Sequence, residues 1–162
     1  MSTQHDSPRV SQLVEALSLH PHPEGGWFRE TYRGAPSLPH ERSTSTAIYF
    51  LLSQSQHSRF HRIDADEGWH HYEGDVVRVH ILDESGYRWV DVGPLDGAGV
   101  EPQAMVPAGA WFAAEVLEGD QGFSLVGCTV APGFEFEHFE LATSAELKMH
   151  YPEHSLIIDR LC

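Results

Sequence analysis

The feature that most limits the fold of this chain is a succession of short β-prone segments, each closed by glycine, proline or an acidic turn. Residues 27–33 are rich in aromatic and β-favouring side chains, and residues 46–52 are apolar with little alternation, which suggests burial on both faces. Segments at 58–63, 69–72, 76–82 and 87–92 follow, separated by Glu73-Gly74-Asp75 and Asp83-Glu84-Ser85-Gly86, both of turn composition. A surface loop is expected over 93–99, where Pro94 lies among three glycines. Strands are then expected at 103–106, 111–117 and 123–130, and again over 134–141 after Pro132-Gly133. Nine or ten such strands predict a sandwich, a jelly roll or a barrel.

Two short helices frame the run. Ser7 is placed to cap the first, Pro8 fits its opening turn, and Val10, Leu13, Val14 and Leu17 fall on one face. The prolines and glycines between His20 and Gly26 end it. Near the other end, Thr143 with Glu146 three residues on has the spacing of a capping box. At 162 residues the chain reads as one domain over 1–162, with residues 1–9 expected to be flexible.

Composition excludes several classes of partner. Asp and Glu outnumber Lys and Arg 24 to 10, for a net charge of −14. Nucleic-acid binding draws on a basic face, and anionic membranes attract basic segments, so neither is expected. The longest apolar run, 47–52, is far too short to cross a bilayer, and residues 1–9 lack the pattern of a secretion signal. The two cysteines, Cys128 and Cys162, do not suggest a disulfide framework, and a cytoplasmic protein is expected. Histidine is unusually frequent at twelve, so the question is which imidazoles converge.

Residues 61–75 carry a resemblance. Their sequence HRIDADEGWHHYEGD resembles the first motif of the cupin superfamily, with His61 on its first histidine, Glu67 on its glutamate and Gly74 on its turn glycine. Pro107-Ala108-Gly109 resembles the opening of the second motif. Pro23-Glu24-Gly25-Gly26, Glu30-Thr31-Tyr32, Trp69-His70 and Val130-Ala131-Pro132-Gly133-Phe134 are similar to one branch, the cupin-5 or DUF985 family. The resemblance implies an all-β fold, a cupin-type double-stranded β-helix (jelly-roll barrel) with short N- and C-terminal helices. It also implies a homodimer with N-terminal strand exchange, and the strand at 27–33, which precedes the barrel, is a candidate to pair with another chain.

Two departures bear on chemistry. Ile63 stands where that superfamily has its second metal-binding histidine, and Phe112 where it has its third. Neither side chain can donate a lone pair, so the usual three-histidine, one-glutamate centre cannot form. No cofactor is expected on this ground. A divalent iron, manganese or zinc ion is left the reduced set His61, Glu67 and His70.

His61, Glu67 and His70 are the candidate catalytic residues, with His61 as base, Glu67 as its partner and His70 as a second polar contact. Strand alternation puts Glu67, Trp69 and His71 on one face and His70 on the other. A bulge near Gly68 would exchange the sets, and the family resemblance favours His70 as the inward residue. Substrate contact is assigned to the phenols of Tyr49 and Tyr72, the guanidinium of Arg62, the rings of Trp69, Trp111 and Phe112, and His71. His5, His20, His22 and His40 read as solvated, His80 as pointing outward and His138 as facing solvent. The Glu24-Gly25-Gly26 turn reads as geometry for entering the first strand.

These readings predict a protein that isomerises or epimerises a small sugar-like or keto-acid molecule without an obligatory metal. Two alternatives differ in kind: a non-catalytic module that holds a small ligand, and a metal-dependent oxygenase or lyase with a reduced ligand set.

Overall fold

A computed structural model describes residues 7–39, 41–96 and 99–162. The described strands are β1 (His20–Pro21), β2 (Trp27–Arg33), β3 (Thr46–Ser53), β4 (His57–Arg62), β5 (Asp66–Gly74) and β6 (Val77–Asp83). They continue as β7 (Gly86–Val92), β8 (Val100–Glu101), β9 (Gln103–Val106), β10 (Trp111–Val116), β11 (Phe123–Ala131) and β12 (Glu140–Leu141). Two six-stranded sheets result, ordered β1-β2-β3-β11-β5-β9 and β12-β4-β10-β6-β7-β8. Each neighbouring pair is antiparallel except β7 with β8.

Alternation along the strands builds the interior. Phe50 and Leu52 of β3, Trp69 of β5, Val77, Val79 and Ile81 of β6, and Phe112 and Ala114 of β10 point between the sheets and are nearly inaccessible to water. The opposite faces are covered as well. Helix α1 (Pro8–Ala16) lays Val10 and Leu13 against Leu51, Phe123 and Leu125 on the outside of the first sheet. That cover explains the lack of polar alternation at 46–52: Leu51 faces the helix while its neighbours face the barrel. Ser7 Oγ accepts a hydrogen bond from the Arg9 N–H, so the expected cap is present.

On the second sheet, Phe60, Leu82 and Ala113 are buried under α2 (Ser144–His150) and α3 (Ser155–Leu161). Thr143 caps α2 as its spacing predicted, whereas α3 lacked a comparable signal. His80 does point away from the barrel, but α3 covers it. Its imidazole meets Tyr87 Oη at 2.7 Å and Glu115 Oε1 at 2.8 Å, and Arg160 of α3 closes on the same carboxylate. The outward direction was legible from alternation; the cover was not.

Two other expectations change. Residues 134–141 are no continuous strand: a 3-10 turn at Phe136–His138 precedes the two-residue β12. Phe139 N–H bonds to Phe136 O, which puts two aromatic rings three residues apart on one side. Of the segment expected to be flexible, residues 1–6 lie outside the described residues, while Ser7, Pro8 and Arg9 open α1. His5, His40 and part of the 93–99 loop also lie outside them.

Gly74 ends β5 with φ +97°, and a Cβ there would lie 2.2 Å from the carbonyl oxygen of Phe123. Backbone, not a movable side chain, blocks the space. Gly74→Ala is therefore expected to lower stability by about 2 kcal/mol or more in urea unfolding. An unchanged midpoint would mean that the turn accommodates a side chain.

Candidate functional site

One end of the barrel interior is polar. A cavity of about 110 Å³ opens there between the sheets, and His22, Glu24, His61, Glu67 and Cys128 all line it. Four structural elements deliver these groups. His61 projects inward from β4 opposite Phe112, their ring centroids 4.1 Å apart. Glu67 stands on β5 opposite Val130, and Cys128 on β11 opposite Trp69, all on the inner face.

His22 and Glu24 come from the turn between β1 and β2. Gly25 and Gly26 have φ +115° and +78°, and a Cβ on Gly25 would lie 2.3 Å from His57 O. Only glycine lets the chain pass so close over β4, and that passage brings Glu24 to His61. Both residues were assigned otherwise from sequence: His22 to solvent, Glu24 to turn geometry. Their side chains are only 8% exposed. The signal that could have found Glu24 is a carboxylate directly before two conformationally special glycines.

The hydrogen bonding sets the protonation pattern. His61 Nδ1 lies 2.7 Å from Arg59 O and 2.6 Å from Glu24 Oε2, so it faces two acceptors and carries the proton. The N–H is directed to Arg59 O, leaving Glu24 Oε2 buried without a well-formed hydrogen bond. Nε2 of His61 has no protein partner among the described residues and is the nitrogen left for the cavity. Burial pushes the His61 pKa down, but Glu24, with help from Glu67, reverses that and holds it above the ordinary value. His22 is held low by burial, and its Nδ1 accepts the Glu24 N–H at 3.2 Å, as neutral imidazole can.

Glu67 differs from an ordinary surface carboxylate. Burial is the largest influence, and with the repulsion of Glu24 it outweighs the attraction of His61 and raises the pKa to about 7. The Cys128 thiol and the Trp69 indole N–H act weakly the other way. Trp69 Nε1 makes no well-formed hydrogen bond, so it acts on the carboxyl as a nearby dipole. Burial also raises the Cys128 thiol far above its ordinary value, which leaves it protonated and a poor nucleophile.

The mouth of the cavity is aromatic and acidic. Phe134, Phe136 and Phe139 pack edge to face there, and Phe139 stacks on His61 at 5.3 Å. Thr46 Oγ1 accepts the Phe134 N–H at 2.9 Å, and Arg33 donates to Phe134 O at 3.0 Å. Arg33 also bridges Glu30 and Glu135, so its charge is already matched.

The structure brings together only some of the residues selected from sequence. His61 and Glu67 share the cavity, although His61 takes Glu24 rather than Glu67 as its carboxylate partner. Trp69 and Phe112 are buried in the wall. His71 has the inward parity but bonds to Gly74 O outside the cavity lining. The inward orientation expected of His70 is corrected: it lies on the outer face, bonded to Thr129. The sheet does contain a bulge, but at Tyr72, beyond the Trp69-His70 pair, so alternation from Glu67 to His71 is undisturbed. Tyr49 and Tyr72 face each other on that same outer surface, and Arg62 stacks over Trp111 outside the second sheet. These four do not reach the cavity.

The donor set for a metal does not fit the usual centre. Ile63 and Phe112 are buried in the apolar core and present hydrocarbon. His70 is on the other side of the sheet from His61 and Glu67. Among the described residues, no three His, Cys, Asp or Glu side chains meet in a metal-holding arrangement.

A two-sheet antiparallel barrel with its polar cluster at one end of the interior defines a cupin-type protein. The chain belongs to the Cupin superfamily (DUF985) family, matching it over residues 11–142. It is similar to a hypothetical protein from Leishmania major, with TM-score 0.87 and 36% identity, covering 94% of this chain and 97% of that one. A Shewanella oneidensis protein is similar at TM-score 0.86 and 36% identity, covering 93% and 95%. An uncharacterized protein of Saccharomyces cerevisiae is 32% identical over 171 residues, 86% of this chain and 78% of its own. Oxalate decarboxylase from Bacillus subtilis shares the fold alone, at TM-score 0.57 and 17% identity, over 90% of this chain and 38% of that one. No helix among the described residues is long and apolar enough to cross a membrane.

The titrations have a consequence for stability. Between pH 4.5 and about 7 the folded chain retains a proton on Glu67 that the unfolded chain has lost, so stability falls as pH rises through that window. His61, raised above 6.5, contributes stability that is complete below 6.5 and is lost as pH rises through its folded value. Both act in the same direction. Glu67→Gln is expected to be more stable than the parent by up to about 3 kcal/mol near pH 8 and little different near pH 4, read by denaturant unfolding. A variant less stable at both pH values would show that Glu67 is not carried at such a cost.

Proposed function

We propose that this chain moves a proton beside the carbonyl of a small polar molecule, as an isomerase or epimerase without an obligatory metal. One observation carries the reading: a buried carboxyl raised to about 7 shares an enclosed cavity with a histidine anchored by a second carboxylate. A general base works best with a pKa near the working pH, and an imidazolium is a ready acid.

In the proposed step the Glu67 carboxylate takes the proton from the carbon next to the carbonyl. The released C–H electron pair forms the carbon–carbon double bond of an enol. The carbonyl oxygen takes its proton from Nε2 of the His61 imidazolium, which Glu24 and Arg59 O hold in place through Nδ1. Return of the proton from Glu67 to the neighbouring carbon, with the hydroxyl proton passing back to His61, completes an isomerisation with no oxidant or reductant. Epimerisation would require the enol to turn its opposite face to Glu67 before the proton returns to the original carbon.

The cavity narrows the substrate. At about 110 Å³ it is well below the ~300–1,000 Å³ of pockets for drug-sized ligands, so a nucleotide-linked sugar is too large. Glu24, Glu30, Glu67 and Glu135 line it against Arg33 and His61, which disfavours a keto-acid anion. A small neutral or cationic hydroxy-carbonyl compound fits best.

The reaction is testable without knowing the natural substrate. Dihydroxyacetone and erythrulose in deuterium oxide are expected to acquire deuterium beside the carbonyl when the protein is present. The rate should depend on pH through two groups, needing Glu67 ionised, its pKa raised to about 7, and His61 still protonated, its pKa held above the ordinary value. Glu67→Gln and His61→Ala should each lower it by about a hundredfold or more. Exchange no faster than in buffer, or undiminished in Glu67→Gln, overturns the reading and leaves a binding module in its place.

A further inference from the structure

We infer that the molecule handled in this cavity carries an ammonium group, held by the carboxylates of Glu24 and Glu67, with its hydrocarbon body under the phenyl rings at the mouth. The inference deepens the acid–base reading by naming the charge of its substrate, and it rests on that reading for the site.

The first support is a group left without a donor. Glu24 is buried and lines the cavity, yet its Oε2 accepts no well-formed hydrogen bond. The two nearest nitrogens do not cure this. His61 Nδ1 is close but directs its proton to Arg59 O, and His22 Nδ1, 3.5 Å from Oε1, spends its lone pair on the Glu24 N–H. An ionised carboxylate offers about four acceptor positions, and the close approach of His61 Nδ1 at 2.6 Å can satisfy at most one of them. A ligand ammonium brings three N–H donors and the opposite charge. A hydroxyl brings one donor and no charge, and a carboxylate brings neither.

The second support is the charge of the lining. Four carboxylates face two cations, Arg33 and His61, and Arg33 is already divided between Glu30 and Glu135. With Glu67 ionised, the deep end therefore holds two carboxylates against one imidazolium. A third support is the wall: Phe28, Phe134, Phe136 and Phe139 present aromatic surface, whose negative faces attract a cation as well as hydrocarbon.

Binding of a cation is linked to Glu67. The titratable groups that face this carboxyl are Glu24 from the β1–β2 turn, His61 from β4 and Cys128 from β11. An added positive charge favours its ionised form, so near neutral pH a proton leaves as the ligand enters.

Three probes with one carbon skeleton separate the possibilities by titration calorimetry: isobutylammonium, isobutanol and isobutyrate. Isobutylammonium is expected to bind saturably, about tenfold or more tighter than isobutanol, and isobutyrate to give no saturable heat. Near pH 7 its heat should vary with the ionisation enthalpy of the buffer, reporting the released proton, and Glu67→Gln should abolish that variation. Glu24→Gln should weaken isobutylammonium by about tenfold while leaving isobutanol unchanged. The comparison among probes on the unsubstituted protein stands whether or not Glu24→Gln folds. Absence of saturable isobutylammonium binding, or isobutanol or isobutyrate binding as tightly, overturns the inference. If ammonium selectivity holds while deuterium exchange is absent, the acid–base reading fails and the binding inference survives; the converse pair of results sinks only the inference.

Discussion

The space between the two sheets has to be filled, and in this chain hydrocarbon fills nearly all of it. Phe50, Trp69, Ile81, Phe112 and Val126 occupy the inner face and are shielded from water. Everything else in the molecule is arranged around that requirement. Helices α1, α2 and α3 cover the outer faces, and polar side chains enter the interior at the end where the β1–β2 turn comes in. In so apolar a setting a charge is tolerable only beside a compensating group. His61 and Glu67 are therefore not free to be isolated ligands. Glu24 has to arrive with them.

That arrangement changes the meaning of the two missing histidines. Ile63 and Phe112 do more than remove lone pairs, since both are part of the packed wall. Phe112 lies against the His61 ring, and Phe139 also stacks on it. The imidazole is fixed by aromatic packing, by Arg59 O and by Glu24, three restraints that leave Nε2 without a protein partner among the described residues. Glu67, with only weak donors nearby, is balanced between its charged and neutral forms. An anchored imidazole and a balanced carboxyl are the parts that the proposed proton transfer would use.

How much of this was legible from sequence differs by kind of feature. Period-two alternation and turn composition located the longer strands and put Glu67, Trp69 and His71 on one face, as the register requires. The competing expectation for His70 needed a bulge between Glu67 and His70, and the bulge lies at Tyr72. Arg62, Tyr72 and Trp111 lie among or beside motif residues in sequence but project, like Tyr49, from the opposite side of their strands. Residues 134–141 alternate as a strand would, but the hydrogen bonds that Phe134 N–H donates to Thr46 and Phe134 O accepts from Arg33 hold Phe134 over the cavity mouth, and a 3-10 turn follows. Those partners are about ninety to a hundred residues away, outside the reach of any local pattern.

By itself the amino-acid sequence determined the all-β class, the two capped terminal helices, and the hydrocarbon side chains at Ile63 and Phe112. Such properties depend on side-chain type and on periods of a few residues, which a linear chain displays openly. Only the tertiary structure decided that His22 and Glu24 leave solvent and that Glu24 becomes the counter-charge of His61. Only it placed Glu67 where burial outweighs attraction. These depend on what lies across a gap of a few ångströms, between residues about forty apart in the chain, and desolvation has no magnitude until the surrounding walls are in place.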